Sequence, residues 1–433
     1  MTRLVDVVVL MGLLVGCAAE KGDKAGGSDG SDGGDGADGS DGADGSDGSD
    51  GSDGGSDTGE PLPEAEGCRA TPPAADRDRL VVAALPYDAD GDQSDTWVAA
   101  RLDADGALDP DGLRFTMGRA NYGTVAFTPD ARVGFAAQDD GTIGVFTMPA
   151  EVGAAPEVSV VDPGWSGGGL YAGGLAVDPS GEWLYVVDGN WANNGGGLYR
   201  APIDCETGAL GEPTLLTPSK LGARLLLLRH ALDHALFVAR EVGGEAGRSD
   251  MARLALADGL VSATVDAFGD DESYVGDAAL SFDDRLALIT DVSEFSGVPT
   301  RIAAVGVDAE AGTLTARGVL DVEDPIALVA SAHGDGFFVA SGYGDALLLF
   351  AADPDASEPL QAQGEPSYVG GRPQLPGALA QVTRGALAGL VLVSEVEGLR
   401  VLQLSPGPAV TDQGVTALGS SLEGIVGAVG VQP

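Results

Sequence analysis

Residues 174–190 read GLAVDPSGEWLYVVDGN, and residues 195–210 continue GGGLYRAPIDCETGAL. A short apolar run leads into Asp178-Pro179-Ser180-Gly181, residue types that favour a tight turn. The second run, Trp183–Val187, is aromatic and β-branched and too short for a helix. A Gly- and Asn-rich loop and a third strand follow. The same phrase recurs as TVAFTPDARVGFAAQDDGTIGVFTMP at 124–149, AALSFDDRLALITDVS at 278–293 and IALVASAHGDGFFVASGYGDALLLF at 326–350. Leading strands fall near Thr124, Gly174, Leu225, Ala278, Ile326, Ala378 and Ile425, at intervals of 47 to 53 residues.

Seven evenly spaced units of short strands and turns predict an all-β fold, a seven-bladed β-propeller spanning residues 68–433. No helical period is sustained. The first unit opens directly on LVVAALPY at 80–87, a second-strand sequence, and the last segment, EGIVGAVGV at 423–431, is a leading strand with nothing after it. Ile425–Val429 is therefore expected to supply the inner strand of the first blade and close the ring.

Val177–Asn190 (VDPSGEWLYVVDGN) and Asp204–Leu210 (DCETGAL) resemble recurring phrases of the seven-bladed lactonase-like propellers, relatives of 6-phosphogluconolactonase and carboxymuconate cyclase. The resemblance implies the same fold. It also implies lactone hydrolysis by His, Arg and acidic groups on one face. This chain offers only His230, His234 and His333, and none matches a catalytic motif of that family.

The segment before the propeller has its own logic. Arg3 precedes an apolar stretch from Leu4 to Val15, interrupted by Asp6 and Gly12. Leu14-Val15-Gly16-Cys17 fits a bacterial lipobox, so residues 1–16 read as a lipoprotein signal and Cys17 as the lipidated residue. The stretch is too short to span a bilayer. Residues 17–67 read as a disordered tether, with nine X-Asp-Gly triplets from Ser28 to Gly54. Ala18 is compatible with outer-membrane sorting, which places the chain in the cell envelope. Cys68 and Cys205 remain as an even pair in an oxidising compartment, where they can form a disulfide.

The chain carries 67 acidic and 23 basic residues, a net charge of −44. That balance repels phosphate backbones and argues against nucleic acid as a partner. Read blade by blade, the loop after each second strand carries a carboxylate: Asp88, Asp139, Asp188, Glu241, Asp291, Asp345 and Glu395. Aromatic residues fall in the same loops and the connectors between blades: Tyr87, Tyr122, Tyr171, Trp191, Tyr274 and Tyr343. An acidic, aromatic rim suits a cationic or sugar-like ligand, a peptide or a protein partner. Asp88, Asp90, Asp92 and Asp95 alternate around Gly91, and such oxygens can converge on calcium, although the order differs from an EF-hand. No other cofactor is indicated. Gly164–Gly168 (GWSGG) fits G-x-S-x-G, yet sits in a Gly-rich connector with no helix after it, so Ser166 is not read as a nucleophile. His230 and His234 form H-x-x-x-H across a turn rather than on a helix, with no third ligand for zinc nearby.

Two functions are compatible with these residues. The first is a monomeric, lipid-tethered, non-enzymatic propeller that binds a ligand or partner on this loop face. The second is a lactonase-like hydrolase acting at the same face, for which Arg119, Arg240 and Glu241 are the local candidates.

Overall fold

The computed structural model describes residues 67–88, 92–120, 123–149, 154–161, 172–189, 196–244, 249–269, 273–292, 300–396, 398–407, 409–418 and 426–433. The signal, Cys17, nearly all of the tether, the Ser166 motif and Ile425 lie outside them.

Strands, numbered in chain order, build seven four-stranded antiparallel sheets. The first blade holds β1 (Arg79–Tyr87), β2 (Gln93–Leu102), β3 (Leu113–Thr116) and, on its inner side, β28 (Val429–Val431). The other inner strands are β4 (Val125–Phe127), β8 (Ala172–Val177), β12 (Lys220–Leu227), β16 (Val275–Leu280), β20 (Pro325–Ala330) and β24 (Leu379–Gln381). Neighbouring inner strands touch all the way round, from β28 through β4, β8, β12, β16 and β20 to β24 and back to β28. The only helical element among the described residues is one 3-10 turn, Val242–Gly244.

The second strands explain why the sequence shows apolar runs rather than alternation. These are β1, β5 (Val133–Ala137), β9 (Trp183–Asp188), β13 (His234–Arg240), β17 (Leu286–Asp291), β21 (Gly336–Ser341) and β25 (Leu390–Ser394). Each is covered on both faces, as in a parallel sheet sandwiched between layers. In β13, Leu236 and Val238 pack toward the fifth blade while Ala235, Phe237 and Ala239 pack toward the third. In β25, Leu390 and Leu392 face the first blade, and Val391 and Val393 face the sixth. Seven such apolar clusters fill the seven interfaces between blades. Each fully buried Leu or Phe contributes about 1.5–3 kcal/mol, so the joints between blades carry the stability.

The ring closes through β28, two-thirds of which lies beyond the expected Ile425–Val429. Val431, Gly430 and Val429 pair antiparallel with Val81, Val82 and Ala83. The apolar pattern of the last segment fits either register, and packing decides between them. A Cβ on Gly430 would come 2.4 Å from Val125 Cγ1, so this position of the ring takes a residue without a side chain. Flanking backbone groups extend the seam: Ala84 N–H donates to Ala428 O at 2.8 Å, and Gly427 N–H to Ala84 O at 3.0 Å. Buried Gln432 completes it, accepting from Leu80 N–H at 2.9 Å and donating to Ala131 O at 2.8 Å.

The turns between first and second strands define a lower face, and the segment before β1 crosses it. Arg69 N–H donates to Ser180 O at 3.4 Å and Asp130 N–H to Arg69 O at 3.0 Å. The Arg69 guanidinium pairs with Asp130 at 3.2 Å. Further on, Asp76 accepts from Ala386 N–H at 2.8 Å. Cys68 and Cys205 are joined in a disulfide, with Cα atoms 5.6 Å apart. This strap thus touches blades three, two and seven before it enters blade one.

Gln432→Ala leaves Leu80 N–H and Ala131 O without their partner and should cost about 1–3 kcal/mol in urea unfolding. Reduction of the disulfide reopens a loop of 137 residues. Chain entropy alone sets that loss at up to about 5 kcal/mol, so dithiothreitol should lower the melting temperature of the wild type and leave Cys68→Ser/Cys205→Ser unmoved.

Candidate functional site

The loops after the second strands and the connectors between blades form the upper face. Their shared location is fixed by backbone bonds between one blade's connector and the next blade's loop. Asp139 N–H donates to Arg119 O at 2.8 Å, Val292 N–H to Tyr274 O at 2.9 Å, Gly342 N–H to Asp324 O at 3.0 Å and Val396 N–H to Gln374 O at 3.2 Å. All seven carboxylates read from the sequence stand at this end of their blades.

They do not form a bare acidic rim. Four are matched by a cation: Asp139 by Arg119 at 2.9 Å, Glu241 by Lys220 at 2.6 Å, Asp291 by Arg301 at 2.9 Å, and Glu395 by Arg400. Asp188, Asp291 and Glu395 are buried. Exposed Asp345 accepts from Leu375 N–H at 2.8 Å. Arg119 and Glu241, two of the candidates for catalysis, are therefore already held in these pairs.

The seventh blade shows how demanding this is. Arg400 is 2% exposed and lies between Glu395 and Asp412, its Nη1 2.6 Å from Asp412. It also donates to Val369 O and Gly371 O at 3.2 Å and lies 5.5 Å from the Tyr368 ring centre. Burial by itself would lower its pKa, but the bonds and charges of Glu395 and Asp412 outweigh that and hold it above the ordinary value. Burial pushes the Tyr368 hydroxyl up to about 12.

Of the aromatic residues, Tyr122, Tyr171 and Trp191 lie outside the described residues, and Tyr87 is buried. Tyr274 and Tyr343 are exposed on adjacent blades, their N–H groups held by Asp291 and Asp324 at 2.9 and 2.8 Å. In the Asp-rich loop, Asp90 lies outside the described residues, while Asp88 accepts from Asp92 N–H at 2.9 Å and Asp95 belongs to β2. Among the described residues no three His, Cys, Asp or Glu side chains group as a metal site. His230 and His234 do not converge: the first contacts Asp284 at 3.1 Å, the second Asp233 at 2.8 Å. His333 contacts Leu404 O at 3.1 Å on the lower face. A separate apolar cleft of about 300 Å³ lies between the outer strands of blades five and six, lined by Leu320, Val322, Leu348 and Phe350.

The inner strands around the central channel carry a further pair that no sequence motif marks. Seven equivalent residues open the turns: Thr128, Asp178, Leu228, Ser281, Ser331, Val382 and Gln432 each donate N–H to the residue that starts, or adjoins the start of, a second strand. Four residues earlier, in the inner strands or just before them, stand Thr124, Gly174, Arg224, Asp277, Ala327, Ala378 and Ala428. Five of these are small or lack a charge, and the other two form an ion pair. Asp277, with its side chain 5% exposed, takes Arg224 Nε. It also accepts from Ala278 N–H at 2.8 Å and, one blade on, from Leu328 N–H at 2.9 Å. That leaves the carboxylate fixed and the guanidinium oriented. Arg224 is 25% exposed, and its two Nη groups have no acceptor among the described residues. Gly174, on the neighbouring inner strand, has Arg224 Cδ 3.3 Å from where a Cβ would stand. An Arg and an Asp inside apolar strands, one repeat length apart, were the available sequence signal.

No family model and no curated protein matches this sequence. Solved structures do. The chain is similar to the periplasmic gluconolactonase PpgL of Pseudomonas aeruginosa, with 17% identity and a TM-score of 0.56 over 79% of this chain and 97% of that one. The likeness is one of fold, the seven-bladed β-propeller. A candidate 6-phosphogluconolactonase from Bacteroides fragilis aligns at 18% identity and 0.51 over 68% and 96% of the two chains. A functionally unknown protein from Desulfotomaculum acetoxidans aligns at 14% and 0.50 over 80% and 98%.

Arg400→Met strands two buried carboxylates and should destabilise the protein by about 3–5 kcal/mol in denaturant unfolding. Arg372→Met, in an exposed pair with Glu365, should change stability by less than about 1 kcal/mol.

Proposed function

We propose that this chain is an extracytoplasmic, lipid-tethered propeller that binds a small carboxylate-bearing polyol at the upper mouth of its channel. Cys17 carries the lipid, residues 17–67 are the spacer, and the cell envelope, at the outer membrane, is its place. The observation that carries the binding reading is Arg224, whose Nε is pinned by Asp277 while both Nη groups remain available. A guanidinium held in this way offers a preorganised fork to a carboxylate. Exposed Tyr274 and Tyr343, on the same upper face, add aromatic surface suited to a sugar-like body. The paired carboxylates of the rim leave little bare acid to repel such a ligand.

A second reading, lactone hydrolysis at the same mouth, is favoured by the likeness to the gluconolactonase. One set of measurements separates them. Gluconate and glucono-1,5-lactone serve as probes, with calorimetry for binding and proton release for hydrolysis. Binding without turnover supports the first reading, and turnover abolished by Arg224→Met supports the second. In either case Arg224→Met should weaken gluconate about 10- to 100-fold, the worth of one charge-assisted contact. Equal affinity in wild type and Arg224→Met would remove the site.

A further inference from the structure

Three arginines converge on the lower face, at the seam between the first and seventh blades. Arg77 lies in the strap, Arg79 opens β1 and Arg384 lies in the turn after β24. In a chain with nearly three acids per base, no Asp or Glu side chain is hydrogen-bonded to any of the three among the described residues, and Asp76 acts on Arg79 only through its charge. Asp76 accepts from Ala386 N–H, and Asp78 pairs with Arg101.

Their donors are only partly used. Arg79 is 1% exposed and gives its Nη groups to Arg77 O at 3.1 Å, Ala75 O at 2.6 Å and Arg384 O at 3.3 Å. Arg77 gives its own to Asp78 O at 3.1 Å, Gln432 Oε1 at 3.3 Å and Pro433 O at 3.4 Å. The Nε atoms of Arg77 and Arg79, and both Nε and Nη2 of Arg384, are buried with no acceptor. Burial, then mutual repulsion, depresses the pKa of Arg77 and Arg79, against a smaller opposing pull of Asp76 on Arg79, and burial depresses that of Arg384. Buried like charges with idle donors are costly unless an anion joins them. Arg77 and Arg384 are each partly exposed, so the cluster reaches solvent through these two residues, while the idle nitrogens themselves are covered.

We propose that Arg77, Arg79 and Arg384 form a phosphate-type oxyanion site at the ring seam. Tetrahedral phosphate oxygens match several guanidinium forks at once, which a single carboxylate does not. The strap delivers the N-terminal side of the chain to this same face, so a lipid headgroup phosphate is one source and free phosphate the other. The headgroup source rests on the lipid-tether reading; the site itself does not, nor does it depend on the channel site opposite.

The full chain carrying Cys17→Ser tests this without its own lipid. At equal ionic strength, phosphate should raise its melting temperature over chloride by about 2 °C or more. Arg384→Gln removes no hydrogen bond of that side chain and relieves repulsion. It should therefore melt no lower than its parent in chloride, and lose the gain in phosphate. Sedimentation with phosphatidylglycerol but not phosphatidylcholine vesicles, lost in Arg384→Gln, identifies the headgroup as the source; a phosphate gain without vesicle binding identifies the free anion. No gain from phosphate in the parent, or a variant that keeps the full gain, would overturn the site.

Discussion

The whole molecule depends on one pairing between the ends of the propeller: β28 lying antiparallel against β1. A blade cannot bury both faces of its second strand alone, and an open row of seven would leave two apolar faces and two sheet edges in water. Closing the row removes both costs together. Leu80, Val82 and Trp97 then pack on the second blade, and Val81, Ala83 and Leu85 on the seventh. The channel exists only because the row closes, and so does the juxtaposition of Arg79 with Arg384 across the seam.

Closure also sorts the charges. On the upper face, acids outnumber bases in the sequence, yet cations from a connector, an inner strand and two third strands pair with four of the seven loop carboxylates. At the seam on the lower face, Arg77, Arg79 and Arg384 gather with no Asp or Glu side chain hydrogen-bonded to them, in a chain of charge −44. The open Nη fork of Arg224 beside Asp277 in the channel and the three arginines gathered at the seam mark both as places where an anion can join the folded chain.

Much of this was legible in the sequence, for reasons that are particular. Blade number and order followed from the interval between phrases such as GLAVDPSG and IALVASAH, because each blade repeats one packing problem. The seven carboxylates were placed on one face because strand direction alternates strictly within a blade. The register of the closing strand was not legible, since Ile425–Val429 and Val429–Val431 are equally apolar and only the contact of Gly430 with Val125 separates them. Nor were the partners of the carboxylates: Arg119 precedes Asp139 by a whole connector, and Lys220 reaches Glu241 from another strand. Arg224 and Asp277 become neighbours only when repeats are laid side by side.

Hydrogen exchange along the seam tests the account most directly. The amides of Ala84, Gly427 and Gln432 bond across the junction of first and last strands. If the ring is closed by this pairing, they exchange as slowly as the amides of β13 and β17, through global opening alone. Exchange of residues 426–433 at the rate of an unstructured peptide, with β13 and β17 still protected, would mean an open ring and contradict the account.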